Sequence, residues 1–135
     1  MNQDGLNYQI QDLYSHITMK VDGEYEIEAF MELIKCIKSE GEKSDHHRVV
    51  CDIREVRNVF PSDTDRFWIG TSIAEVIGSQ IQIACVAAPE SINHFVELVA
   101  NNRGVNFKVF SCIDAARKWI LEDDLLGTRQ KTASC

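Results

Sequence analysis

The sequence of 135 residues has few basic residues, only two prolines and no long apolar run. Its 14 Lys and Arg residues are outnumbered by 21 Asp and Glu residues, and the formal net charge of -7 opposes binding to nucleic acid or to an anionic membrane surface. The longest apolar stretches have the length of strands, and the N-terminus lacks a signal-peptide pattern. We therefore predict a cytoplasmic protein without stable membrane insertion.

The short motifs of common metal sites and enzymes are also missing. The cysteines are odd in number and include no C-x-x-C pair. We predict reduced core thiols for Cys36, Cys51, Cys85 and Cys112, and a free terminal thiol for Cys135. The adjacent His46 and His47 would point to opposite faces of a strand, and no serine or cysteine stands in a nucleophile elbow. These absences predict no metal, no cofactor and no catalytic residue.

The patterns that are present alternate between helix and strand, which places the chain in the α/β class. In the clearest of them, an amphipathic helix that Pro89 opens, with Phe95 in its apolar stripe, stops at Gly104 and turns directly into an alternating strand, Val105 to Phe110. The other predicted elements are a hairpin at 8–10 and 15–21 ended by a turn at Asp22-Gly23, a helix from Ile27 to near Gly41, a strand at 49–53, a loop at 54–65, a helix stopped by Gly78, a strand at 81–87 and a last helix beginning near Ser111. We predict one domain over residues 1–123 and a mobile tail over residues 124–135.

This order of elements, with Val50-Cys51-Asp52-Ile53-Arg54 leading into a loop, resembles the STAS superfamily, named for sulfate transporters and anti-sigma factor antagonists. More closely, the segments 65–70, 102–105 and 115–120 (DRFWIG, NRGV and AARKWI) look like a bacterial branch described as STAS-like or CRAL-TRIO-like proteins of unknown role. The resemblance covers roughly residues 8–122, and it implies a mostly parallel central sheet of about five strands with about four helices.

Antagonist-type STAS domains carry an Asp-Ser-Ser-Gly-like signature after the third strand, where a partner kinase phosphorylates a serine at a helix N-terminus. The corresponding stretch here places Ser62 and Thr64 near that position but has no Ser-Ser-Gly. A phosphate would add a charge of about -1.5 to -2. Because Asp63 and Asp65 already flank the position, the resemblance predicts a poor phospho-switch.

Three arginines and two carboxylates, Asp52 and Asp65, are candidates for binding. Asp52 and Arg54 end a parallel strand, at the edge where open α/β sheets bind ligands; alternatively, Asp52 braces the next loop and Arg54 is solvated. Arg66, beside Asp65, can hold an anion at a helix start or form an ordinary ion pair. Arg103 belongs to a helix-end turn.

From that turn Arg103 can also reach a ligand, Asp52 or Glu97. Trp68 is either a core residue or, with Phe67, part of the lining of a groove for an apolar ligand.

Two hypotheses of function follow. The first is a non-enzymatic STAS-like regulatory or protein-interaction module that docks on a regulatory partner through the 54–70 loop and helix start, biased by an anion or phosphate near Ser62, Thr64 and Arg66. The alternative is a small lipid or apolar-metabolite carrier of CRAL-TRIO-like character, with its ligand between the second and third helices and the sheet. A carrier needs an apolar cavity, whereas an interaction module is packed to normal density. A homodimer through an exposed helix face or an edge strand is compatible with either hypothesis.

Overall fold

The computed structural model describes residues 5–44 and 47–126, with side chains as far as Leu121. The elements in chain order are β1 (Leu6–Asp12), β2 (Ile17–Glu24), α1 (Ile27–Lys43), β3 (Arg48–Arg57), α2 (Asp63–Val76), β4 (Gln82–Val86), a 3-10 turn (Pro89–Ser91), α3 (Phe95–Asn102), β5 (Asn106–Phe110) and α4 (Ile113–Leu126). One sheet of five strands with four α-helices confirms the predicted fold class.

The five strands follow one another across the sheet in chain order. β1 pairs antiparallel with β2, and the other neighbouring pairs are parallel. Because successive strand residues point to opposite faces, β2 buries Ile17, Met19 and Val21 on the face that α1, α2 and α3 cover. On the other face, α4 packs against β3, β4 and β5. One face of the sheet is thus covered by three helices, whereas the other is covered by one helix over only three strands.

The largest departure from the predicted elements is the length of β3. The sequence predicts a loop from Arg54 to Asp65, but β3 continues to Arg57 and only residues 58–62 connect it to α2. The register between β2 and β3 shifts between Lys20 and Asp22, and the shift lets Glu55 to Arg57 pair with Asp22 to Glu24. The Asp22-Gly23 pair consequently lies inside β2 and is not the predicted turn.

One glycine and one proline also differ from their predicted roles. Gly41 does not stop α1, which runs to Lys43; a Cβ at Gly41 would lie 2.8 Å from the side chain of Ile81, so the glycine permits close packing. Pro89 opens the separate 3-10 turn, and α3 begins only at Phe95. Gly78, by contrast, follows α2 with φ of +72°, as a helix stop requires.

At the C-terminal end, α4 runs to Leu126, three residues past the predicted domain boundary at 123, and the rest of the predicted tail lies outside the described residues. Among the cysteines, Cys36, Cys51 and Cys85 are free thiols, as predicted. Cys112, half-buried between β5 and α4, is disulfide-bonded, so the prediction of a reduced thiol is wrong there. Cys135 lies outside the described residues.

Candidate functional site

The residues singled out by the sequence lie on the two opposite faces of the sheet. Asp52 and Arg54 face α4, at the end of the β3–β4 pairing. The other six lie around the start of α2 and the end of α3, on the side of the three packed helices: Ser62, Thr64, Asp65, Arg66, Trp68 and Arg103. The structure therefore separates two groups that the sequence analysis treats together.

The start of α2 is fixed by Ser62. Its Oγ accepts a hydrogen bond from the backbone N–H of Asp65 at 3.0 Å, which satisfies one of the helix's first free donors. Asp63 and Asp65 stand in the first turn, where the helix dipole favours negative charge. Thr64 is exposed in the same turn. One of the two hydroxyls predicted to lie near the phosphorylation position of antagonist-type STAS domains thus serves as the helix cap.

Asp65 is also held from outside its helix. The hydroxyl of Tyr25 donates to Oδ2 of Asp65 at 3.2 Å, and the Tyr25 ring packs edge-on against Phe30. Burial, and then the negative charge of Asp65 and the hydrogen bond to it, raise the pKa of Tyr25. The contact joins the start of α2 to the junction of β2 and α1. The contact of Tyr25 with Asp65 is not predictable from the sequence, because no local pattern relates two residues 40 positions apart.

Arg66 forms an ion pair, which was one of the two alternatives for it. Its Nη1 lies 3.5 Å from Oδ1 of Asp63, one turn earlier, and not beside its neighbour Asp65, which is bound to Tyr25. The Arg66 side chain is mostly buried, whereas that of Asp63 is 97% exposed. An ion pair with so exposed a partner contributes little to stability.

Three large side chains are exposed where the chain enters and begins α2. Phe60 is 66% exposed, and Phe67 and Trp68 are each 48% exposed; we call these three residues the aromatic surface. Trp68 is therefore not a core residue. The guanidinium of Arg103 lies 5.8 Å from the centre of the Phe67 ring, within the range of a cation–π contact.

The alternative partners suggested for Arg103 are engaged elsewhere. Glu97 accepts a hydrogen bond from the backbone N–H of Val109 at 2.9 Å and pairs with His94. Asp52 lies on the opposite face of the sheet. The end of α3 thus brings Arg103 to the aromatic surface.

An apolar cavity lies at the place where the carrier hypothesis puts its ligand, between α1, α2, α3 and the sheet. Its volume is about 110 Å³. Ligand pockets for small molecules usually measure about 300–1,000 Å³, and a cavity of about 150 Å³ holds benzene. The cavity is therefore too small for a lipid chain.

On the other face, Arg54 and Asp52 form a closely bonded pair. Nε and Nη2 of Arg54 donate to the two carboxylate oxygens of Asp52 at 2.9 and 2.8 Å, and the Arg54 backbone N–H donates to Oδ1 at 3.1 Å. Asp52 is 3% exposed. Burial acts to raise the pKa of the Asp52 carboxyl, but the hydrogen bonds and charge of Arg54, with the charge of Lys20, outweigh it and lower the pKa. Asp52 braces its own strand, and Arg54 is bonded to it and not simply solvated.

This pair predicts a contribution to stability that depends on pH. The folded pKa of Asp52 lies below its ordinary value of 3.8, so the unfolded chain takes up a proton first as the pH falls. The contribution is complete above the ordinary pKa and is lost as the pH falls through the lowered folded pKa. Replacing Asp52→Asn should flatten the dependence of the unfolding free energy on pH below about pH 4, as measured by urea unfolding at a series of pH values. Glu75→Gln, at an exposed carboxylate late in α2, should leave the slope close to that of the wild type. Equal slopes in Asp52→Asn and wild type would contradict the assignment.

The arrangement of the elements defines the class of protein: a mostly parallel α/β sheet that begins with an antiparallel pair and carries three helices on one face and one on the other. The chain is similar to the crystal structure of an anti-sigma factor antagonist from Mycobacterium paratuberculosis, with a TM-score of 0.60 and 17% identity over 89% of this chain and 97% of that chain. No protein-family model and no curated protein matches the chain. The likeness shows the STAS-like fold and confirms the resemblance at the level of fold. Among the described residues, no helix is both long and apolar enough to cross a membrane.

Proposed function

We propose that this protein is a non-enzymatic STAS-like regulatory module that binds a partner protein through the aromatic surface. The observation that carries the proposal is the exposure of Phe67 and Trp68, side by side on α2, with Phe60 just before the helix. Large aromatic side chains dominate the binding energy of many protein interfaces, and they are costly to leave in water. The structurally similar protein is described as an anti-sigma factor antagonist, which favours a regulatory protein as the partner.

The charges around the aromatic surface indicate the kind of partner. Asp63 is almost fully exposed beside these residues, and the whole chain carries a formal charge of -7. The nearby cations are Arg103, stacked over Phe67, and the mostly buried Arg66, which pairs with Asp63. An apolar recess with a basic rim would complement this surface, because opposite potentials steer and orient association.

The proposal places the binding energy in the aromatic side chains and not in a phosphate. The Ser62 hydroxyl already caps α2, and a phosphate there would stand close to Asp63 and Asp65 in the first turn of the helix. Like charges at such short range oppose the added group, although the helix N-terminus favours it. Docking that does not require phosphorylation follows from this arrangement.

The experiment is a quantitative co-purification from the native host with wild-type, Trp68→Ala and Phe67→Ala baits. A specific protein should be enriched with wild type, and each substitution should lower its recovery by about tenfold or more, the effect of losing an interface hot spot. Since both side chains are half exposed, the variants should keep the circular dichroism and urea midpoint of the wild type within a small margin.

Leu121→Ala is the matched control, since Leu121 is an exposed apolar residue on α4, on the opposite face of the sheet. Its recovery of the partner should equal that of the wild type. Undiminished recovery with both aromatic variants would contradict the aromatic surface as the binding site. A wild-type bait that enriches no protein above a heat-denatured bait would contradict the proposal as a whole.

A further inference from the structure

A polar cleft opens on the face of the sheet that carries α4, away from the aromatic surface. Since α4 packs on β3, β4 and β5, the strands β1 and β2 extend past it, and the gap between them and α4 measures about 530 Å³. This volume lies within the usual range for small-molecule sites of about 300–1,000 Å³. The cleft involves none of the residues on which the proposed function depends.

The cleft carries an excess of positive charge in an acidic protein. Three basic side chains line it, Lys20, Arg54 and Arg117. Asp52 is the acidic side chain among its described lining residues, and Arg54 compensates its charge through two side-chain hydrogen bonds. Among the side chains that the structure describes, those of residues 5–44 and 47–121, Lys20 and Arg117 make no ion pair. Two positive charges thus remain for a ligand.

Two of the residues that line the cleft each hold a buried donor atom that has no hydrogen-bond partner among the described residues. These atoms are Nε of Arg117 and Oγ1 of Thr18. Leaving a buried donor unsatisfied costs free energy, and nearly all such groups in folded proteins are paired. Arg Nε–H can only donate, so the missing partner of Arg117 must be an acceptor. An oxyanion supplies acceptor atoms to both groups, and its negative charge balances the positive charges of Lys20 and Arg117.

The fold brings these groups together from distant parts of the chain. Lys20 pairs across the sheet with Gln9 on one side and Asp52 on the other, and Thr18 pairs with Gln11. Their side chains stand on one face because they occupy alternate strand positions. Arg117 approaches from α4.

We infer that this cleft is a binding site for a small organic anion. Arg117, Lys20 and the Thr18 hydroxyl hold its carboxylate or phosphoryl group, since a guanidinium matches the planar or tetrahedral oxygens of both. The side-chain amides of Gln9 and Gln11 lie at the same cleft and can bond to hydroxyl or carbonyl substituents. The volume far exceeds that of one inorganic ion, so a molecule with a polar carbon skeleton fits better than free phosphate.

The test is isothermal titration of the full chain with citrate, glucose 6-phosphate and inorganic phosphate in about 0.15 M chloride, which screens non-specific attraction. Citrate or glucose 6-phosphate should bind saturably at one site and more tightly than inorganic phosphate. Arg117→Gln and Lys20→Gln should each weaken that binding by about tenfold or more. The comparison of the two organic probes distinguishes a carboxylate ligand from a phosphoryl ligand.

Lys108→Gln is the matched control, because Lys108 is an exposed lysine on the same face of the sheet but on β5, across α4 from the cleft. It should change the affinity by less than about twofold. No saturable binding of either organic probe up to about 10 mM would overturn the inference, as would binding that is unchanged in both cleft variants. Inorganic phosphate binding as tightly as both organic probes would overturn the assignment to an organic anion. If Arg117→Gln fails to fold, Lys20→Gln tests the site alone, since Lys20 is an exposed strand residue.

Discussion

Replacing Ile120→Ala should lower the free energy of unfolding by about 2–5 kcal/mol, the usual cost of truncating a fully buried isoleucine. Ile120 is 0% exposed and belongs to the smaller of the two cores, whose other buried members are Val50, Ala84, Val86 and Ala116. Because two of these four residues are alanines, little neighbouring side-chain volume can move in to fill the cavity. The loss should therefore fall in the upper part of the range. Urea unfolding followed by circular dichroism measures it.

The control and the local readout are both on α4. Leu121→Ala removes the same number of carbons from the next residue, which is 38% exposed, and it should cost much less. Hydrogen exchange should show faster opening of α4 in Ile120→Ala, because the other buried residues among its described side chains are the small Ala115 and Ala116. Equal losses of stability in the two variants would contradict the assignment of Ile120 as the main anchor of α4.

Replacing Gly70→Val should lower the free energy of unfolding by about 3 kcal/mol, near the upper end for an overpacked contact. A Cβ at Gly70 would lie 2.7 and 2.8 Å from Cβ and Cγ1 of Val99, and 3.2 Å from the carbonyl oxygen of Val96. No side chain fits between α2 and α3 unless the helices move apart. The result is measured by urea unfolding, with Gly70→Ala as the smaller step of the series.

Gly70→Ala decides the sign of the effect. Alanine is the better helix former by about 1 kcal/mol, whereas the added methyl group creates a contact expected to cost about 1–3 kcal/mol. A more stable Gly70→Ala protein would mean that α2 and α3 separate readily and would contradict the close packing. Glu75→Ala, at an exposed position of α2, is the control for the effect of helix propensity, and it should change the free energy of unfolding little. Because Phe67 lies one turn before Gly70, separation of the helices would also weaken the contact between Phe67 and Arg103.

The elements that the sequence predicts well are those with a regular apolar period. Alternation in β2 and in β5, and the helical spacing of α1, follow from which face of each element is buried, and a local pattern records that face. The length of β3 was mispredicted because Glu55 and Arg57 are exposed and polar, and nothing local shows that they pair with β2 across a bulge. In the sequence, Gly41 and Gly70 cannot be told from glycines that stop a helix. Only the side chains that lie close to them in the folded structure show that they permit close packing.

The candidate sites were predictable only in part. Ser62 at a helix start, and Asp52 with Arg54 at a strand end, can be recognised from neighbouring residues. The exposure of Trp68 cannot be recognised in this way. A tryptophan on a helix has the same neighbours in sequence whether another helix covers it or it faces water. Arg117 has no signal that relates it to Lys20, nearly a hundred positions earlier.

The sequence alone thus determined the α/β class and most of the helices and strands, since each depends on residues within a few positions of one another. The tertiary structure decided which side chains meet. It separated Asp52 and Arg54 from the start of α2, exposed the aromatic surface, and placed Arg117 beside Lys20 and Thr18. These outcomes depend on the order of strands in the sheet and on how far α4 reaches across it. Both depend on packing between segments that are far apart in the chain, which a local sequence pattern does not predict.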